Sequence, residues 1–162
     1  MALKRRHPIR HKDIAPVIEQ LQETLGCTIA HQHRAESAEW EGQEVILLDG
    51  RLDIIMLEDQ AFLTLSGINK HRPSQCQVTV DRGAVPHVLN GADVMAPGIT
   101  DADPAIQEGD LVWVRNPEGT GIAVGRALLS GPEMVEQSSG KAVENLHYIG
   151  DDLWQQNETL TS

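Results

Sequence analysis

The side chains that could do chemistry are scattered through this chain, and their spacing excludes more than it supports. His31 and His33 lie two apart, so a strand would put both imidazoles on one face, and His7 and His11 lie four apart, as on one helical face. Zinc needs three or four ligands and neither pair has a third beside it, so these histidines read as surface positions and no metal is expected. Cys27 and Cys76 are far apart and outside any CxxC pair, which is the pattern of reduced, buried thiols. The stretch "NGADVMAPG", residues 90–98, contains glycines but lacks both a GK[ST] ending and GxGxxG spacing. It also leads into a strand instead of opening a helix, so it is no phosphate loop. No acid–base pair and no nucleophile with a partner stands near it. The expectation is a protein without catalytic activity and without a cofactor.

Charge is more informative. Lys4, Arg5, Arg6, Arg10 and Lys12 put five cations and no acid into the first twelve residues, whereas the other 150 carry 8 Lys/Arg against 24 Asp/Glu. The net charge of −11 repels phosphate at long range, so any nucleic-acid surface must be local, unless concentrated salt screens the repulsion away. Weighed against a merely solvated arm, five of thirteen basic residues within nine positions favours an RNA or ribosome contact. No apolar run approaches the roughly 20 residues of a membrane span and no apolar segment follows the basic start, so the expected compartment is the cytoplasm, with no membrane partner.

The elements that must position these groups follow from periodicity and turn chemistry. "DIAPVIEQLQETL", residues 13–25, puts Ile14, Val17, Ile18, Leu21 and Leu25 on one helical face, with Asp13 as N-cap and Gly26 as stop. "QEVILLDGRLDIIMLED" reads as two strands around a hairpin at Asp49-Gly50, and "AFLTL" adds a third. "SGINKHRPSQ" has a linker's composition and puts a boundary near Pro73. Beyond it come "QVTV", a helix of about two turns from Gly83 stopped at Asn90-Gly91, "ADVMAPGI" broken at Pro97-Gly98, "LVWVRN", "IAVGRALLS" with Gly125 at a bulge or close approach, and "AVENLHYIG". "GPEMVEQSSGK" reads as a loop with one helical turn at most. Trp113 alternates with Leu111 and reads as core, Trp40 in acidic company as an exposed protein contact, and Tyr148 and Trp154 as barrel closure. The fold class is α+β: an N-terminal helix packed on a small antiparallel sheet, then a small β-barrel of about six strands with one short helix. The expected division is 1–74, 75–154 and a frayed tail at 155–162. A barrel this small is filled by side chains, so its binding surface lies outside, where the short helix, its glycine turn and an edge strand meet.

These residues carry a resemblance. "VDRGAVPHVLNGADVMAPGI", "EGDLVWV", "AVGRALLSGPEMV" and "GKAVENLHYIGDDLW" together resemble the PUA domain, named after pseudouridine synthase and archaeosine transglycosylase. With the basic start "LKRRHPIRHKD" and the helix-plus-hairpin segment, the chain is similar to archaeal relatives of the malignant T-cell-amplified sequence proteins, which carry a pre-PUA domain before the PUA domain. The resemblance implies RNA binding without catalysis, in translation: a tRNA acceptor end or rRNA, the small ribosomal subunit, and a partner like the density-regulated protein. It implies an RNA wall made of Gly83, Ala84 and His87 on the helix, Asn90, Gly91 and Ala92 at the turn, and Met95, Pro97 and Gly98 on the following strand, with Arg82 as one of the available charges. Arg126 and Lys141 add charge, the last strand supplies the opposite side, and Asp93 sets a negative charge in the wall. Two other readings stand beside this one: an accessory subunit presenting tRNA to a modification enzyme, and a protein–protein adaptor without RNA binding.

Overall fold

A computed structural model describes residues 2–30 and 34–161. By its own contacts the chain divides into two compact units, residues 1–73 with 152–162, and residues 74–151.

The first unit is a five-stranded antiparallel sheet in the order β1-β2-β3-β4-β5 with helices on it: β1 Lys4–Pro8, α1 His11–Leu25, β2 Ala35–Trp40, β3 Gln43–Leu48, β4 Arg51–Leu57, β5 Gln60–Leu63 and α2 Leu65–His71. Helix α1 buries Ile14, Leu21 and Leu25 and stops at Gly26, whose φ of 63° is the left-handed conformation that closes helices. It begins two residues before Asp13: Arg10 is the N-cap, Asp13 lies in the first turn, and Pro16 falls inside the helix. The hairpin β3–β4 turns at Asp49 and Gly50, both with positive φ, as the Asp-Gly pair requires.

Three expectations are corrected in this unit. The basic segment is not a free arm, because Lys4–Pro8 pairs with β2 as an edge strand. The supposed linker forms α2, capped by the Thr64 hydroxyl, which accepts the Gly67 N–H at 3.3 Å; Leu65 and Ile68 are buried under it, so packing overrides a weak composition. Trp40 is buried, at 8 % exposure, and not a surface contact, since strand alternation turns it inward while Glu39 faces out. His31 and His33 lie outside the described residues.

The chain's last segment differs as well. Residues 152–161 form a helix, α5, instead of a frayed tail, and this helix belongs to the first unit, Trp154 included, so Trp154 does not close the barrel. Its Asn157 is buried and grips the main chain of β4. The Asn157 Oδ1 accepts the Leu52 N–H at 3.1 Å, and Nδ2 donates to the Leu52 carbonyl at 2.9 Å. That carbonyl also accepts the Thr64 hydroxyl at 2.6 Å. The grip falls at a β-bulge, because Leu47 pairs with Leu52 and Ile46 with Ile54, leaving Asp53 as the extra residue. Asp53 is fully buried beneath α2, with Lys70 Nζ at 3.4 Å.

The second unit is a six-stranded sheet in the order β7-β11-β10-β9-β6-β8, made of β6 Gln77–Val80, α3 Val85–Val88, β7 Val94–Met95, β8 Ile99–Ala102, β9 Leu111–Arg115, β10 Gly121–Ala127, α4 Gly131–Glu136 and β11 Lys141–Tyr148. The two edge strands, β7 and β8, are joined by only the three residues of a 3-10 turn, Ala96–Gly98. Tying the edges together this tightly rolls the sheet into a nearly closed barrel, which removes the exposed strand edges an open sheet would leave. Val78, Val80, Val112, Val114, Ala123 and Val143 fill its interior. Helix α3 is a single turn and not two, and α4 is longer than the loop reading allowed, because Ser130 and Glu133 form a reciprocal capping box. Gly125 stands at the register shift between β10 and β11, where a Cβ would run into the Glu144 carbonyl.

A candidate RNA groove on the barrel

The wall is built by short, sharply turned backbone. Asp81 accepts the Ala84 N–H at 2.9 Å and starts the helical turn, and Pro86 sits in its first residues, where no N–H is needed. Gly91, at φ 90°, then reverses the chain toward β7. Between α3, this turn and β7 lies a groove of about 510 Å³ lined by Ala84, His87, Val88, Ala92, Asp93, Val94, Met95, Gly98 and Lys141. The lining is mostly aliphatic, and its small residues leave room for a ligand's backbone to come close.

One residue of β11 holds the wall in place. The Asn145 side-chain amide donates to the carbonyls of Val88, at 3.1 Å, and Ala92, at 3.0 Å, on either side of the turn. Its main-chain N–H donates to Asp93 Oδ1 at 2.9 Å. The other carboxylate oxygen of Asp93 lies 3.2 Å from Lys141 Nζ. The Asn145 hydrogen bond foremost, with burial opposing it and Lys141 adding to it, holds the Asp93 carboxyl below the usual aspartate range. The acid in the wall is therefore a fixed, ion-paired group.

Of the residues assigned to RNA from sequence, six line this groove: Ala84, His87, Ala92, Met95, Gly98 and Lys141. Six do not. The Arg82 guanidinium lies 2.6 Å from a Glu118 carboxylate oxygen, and Arg126 donates to the Gly109 carbonyl at 2.8 Å. Gly83, Asn90, Gly91 and Pro97 shape the wall without lining the groove. At Gly91 a Cβ would meet the Tyr148 ring at 3.2 Å, so this glycine lets the turn pack closely against Tyr148. Asn145 fell only within the broad assignment of the last strand. The signal that singles it out is an amide in a strand, where Asn is depleted, which calls for a specific bonding role.

In the first unit the basic residues split into two groups. Arg6 makes a two-pronged bond to Glu36, at 2.8 and 3.1 Å, Arg5 lies 3.3 Å from Glu39, and Arg34 joins Glu36 at 3.2 Å. Arg6 foremost, and Arg34 after it, hold Glu36 below the usual glutamate range against the effect of burial. Lys4, Arg10 and Lys12 are exposed and carry no such pairing among the described residues. Neither cysteine is in a disulfide; burial raises both thiols, and Cys76, with Asp103 and Asp110 nearby, is pushed up to about 11. Among the described residues no cluster of three metal-ligating side chains occurs, and no helix is long and apolar enough to cross a membrane.

Residues 77–149 match the family model described as the PUA domain. Over 95 % of this chain and 98 % of the relative, the chain is 38 % identical to an uncharacterized protein of Methanocaldococcus jannaschii. It is 33 % identical to translation machinery-associated protein 20 of Schizosaccharomyces pombe over 68 % of this chain and 75 % of that one. Among solved structures, a conserved PUA domain protein from Thermoplasma acidophilum superposes with a TM-score of 0.83 at 32 % identity, over 94 % of this chain and 99 % of that one.

Proposed function

The chain belongs to the PUA-domain family that includes translation machinery-associated protein 20 and the malignant T-cell-amplified sequence proteins, and from that premise we propose that it is a non-catalytic RNA-binding protein of the translation machinery. It acts by positioning in the cytoplasm. The barrel holds structured RNA, a tRNA acceptor end or small-subunit rRNA, against the groove between α3 and β7. The first unit, with Lys4, Arg10 and Lys12, adds a phosphate contact and a face for the small ribosomal subunit or for a partner like the density-regulated protein. Arg82 and Arg126 have other partners and are set aside as direct contacts.

The observation that carries this reading is the groove itself, with small residues, a backbone reversal and one lysine at the place where sequence reasoning put an RNA wall. A barrel with only four Lys/Arg against eleven Asp/Glu in residues 74–151 binds RNA by shape and hydroxyl contacts more than by counterion release. Met95 is the position to test: its backbone pairs with β11, but its side chain is exposed in the groove, at 46 %. Gly91 is unsuitable, because any side chain there strains the turn and meets Tyr148. In gel shifts with total tRNA and with small-subunit rRNA, Met95→Glu is expected to lose binding at an unchanged melting temperature. Full affinity in that variant would place the RNA elsewhere. Pull-down from lysate at native salt is expected to recover small ribosomal subunits; recovery of a modification enzyme would favour an accessory role, and of proteins without RNA an adaptor.

A further inference from the structure

Two formal charges line the groove, and they are bound to each other. Asp93 is the fixed member, because one of its oxygens accepts the Asn145 N–H, a bond the strand itself supplies. Lys141 is the movable member: its side chain is 63 % exposed, it stands at the start of β11 opposite Met95, and its ammonium touches the free oxygen of Asp93 at 3.2 Å. Arg82 and Arg126 are engaged elsewhere, so Lys141 is the cation within the groove's lining. A phosphate entering the groove meets a lysine already in use, with a carboxylate directly behind it.

We propose that Asp93 and Lys141 form a latch that selects RNA over DNA. The inference rests on the reading of this groove as the nucleic-acid site. In the empty groove the carboxylate holds the ammonium. A backbone phosphate of the ligand takes the ammonium over, and the Asp93 oxygen then lacks a donor. An RNA strand carries a 2′-hydroxyl beside each phosphate and can donate to that oxygen; a DNA strand leaves a bare carboxylate facing a phosphate. Exchange of one partner for another is nearly neutral for RNA and unfavourable for DNA or for any polyanion lacking a hydroxyl. The acid that looks hostile to nucleic acid is thus the element that rejects the wrong one.

The test uses the full-length protein with a short single-stranded RNA, its 2′-deoxy counterpart of the same sequence, and total tRNA, titrated over a range of KCl concentrations. In Asp93→Asn the lysine is released and the repelling charge removed. RNA affinity is expected to rise about two- to fivefold at low salt, in line with an exposed ion pair. DNA gains more, so the RNA-to-DNA preference falls at least about threefold. The slope of log affinity against log salt steepens by about 0.7, the value for one freed phosphate contact on a single strand. Lys141→Met keeps the Asn145–Asp93 bond, and it is expected to weaken RNA binding and flatten the slope by about the same amount. Where the wild-type protein binds RNA, an unchanged RNA-to-DNA preference in Asp93→Asn, or an unchanged slope in Lys141→Met, overturns the latch and leaves the groove standing. Wild-type protein that binds none of the three probes overturns the groove, and the latch with it.

Discussion

Asp93 ionises more readily than an ordinary aspartate because an N–H of β11 points at one oxygen and an ammonium at the other. A carboxyl whose folded-state pKa is depressed adds stability that is fully present above its unfolded value, 3.8, and disappears as the pH falls through the lower folded value. The wall of the groove therefore keeps the contribution of the ionised Asp93 at neutral pH and loses it only in acid, while the Asn145 amide bonds to Val88 and Ala92 do not titrate. Carbon-detected NMR titration is expected to find Asp93 titrating below 3.8, and Lys141→Met to recover only part of the depression, since the Asn145 bond is the largest single cause and survives the substitution. A return to an ordinary aspartate value in that variant would make the lysine, not the strand, the group that fixes the carboxylate. At this scale sequence reasoning was half sighted. Ala84, His87, Ala92, Met95, Gly98 and Lys141 fall round one groove, because small residues and a lone lysine near a glycine turn are local marks. The Asn145 clamp joins residues 57 and 53 positions apart, and no local rule relates them.

At the scale of elements, β1 changes the meaning of the basic segment. An edge strand that is exposed throughout presents unpaired backbone, and charged side chains together with the bulge at Arg5, whose φ is 55°, keep other strands from adding to it. Arg5 and Arg6 are spent on Glu39 and Glu36 across the strand pair, whereas Lys4, Arg10 and Lys12 are not. The two groups should then separate in experiment. Replacing Lys4, Arg10 and Lys12 by Ala is expected to flatten the salt dependence of RNA binding by about two to three units of slope. Replacing Arg5 and Arg6 should leave that slope nearly unchanged and cost at most about 1 kcal/mol of stability, as exposed pairs do. Equal effects of the two sets on the slope would mean that the acidic partners give up their arginines to RNA. The same comparison of local and distant signals explains α2. Its composition reads as a linker, yet burial of Leu65 and Ile68 and the Thr64 cap make it helical.

At the scale of the molecule, the first unit is discontinuous: its last helix arrives after the whole barrel has been threaded. Asn157 reaches Leu52 across 105 residues of sequence and satisfies both main-chain groups at a bulge where the ladder cannot. A fragment of residues 74–151 is expected to fold alone, with a cooperative thermal transition, because its core and its edge closure are internal. A fragment of residues 1–73 should melt earlier than the same unit in the full chain and recover on addition of a peptide of residues 152–162. Equal melting with and without the peptide would show the helix to be an ornament. In the full chain, Asn157→Leu strands a buried N–H and should cost about 1–3 kcal/mol.

What the sequence determined by itself is whatever is settled within a few residues: α1 from its apolar period, the Asp49-Gly50 hairpin, the strands of the barrel, the glycine turn, and through these the α+β class and the family resemblance. What only the tertiary structure decided is which distant partners satisfy which groups. The strand pairing of Lys4–Pro8 and its acids, the burial of Trp40, the allegiance of residues 152–161 to the first unit, and the clamp on Asp93 all belong here. The reason is physical: turn and period preferences are properties of adjacent residues, whereas a buried polar group is answered by whatever the fold brings beside it, and distance along the chain carries no trace of that.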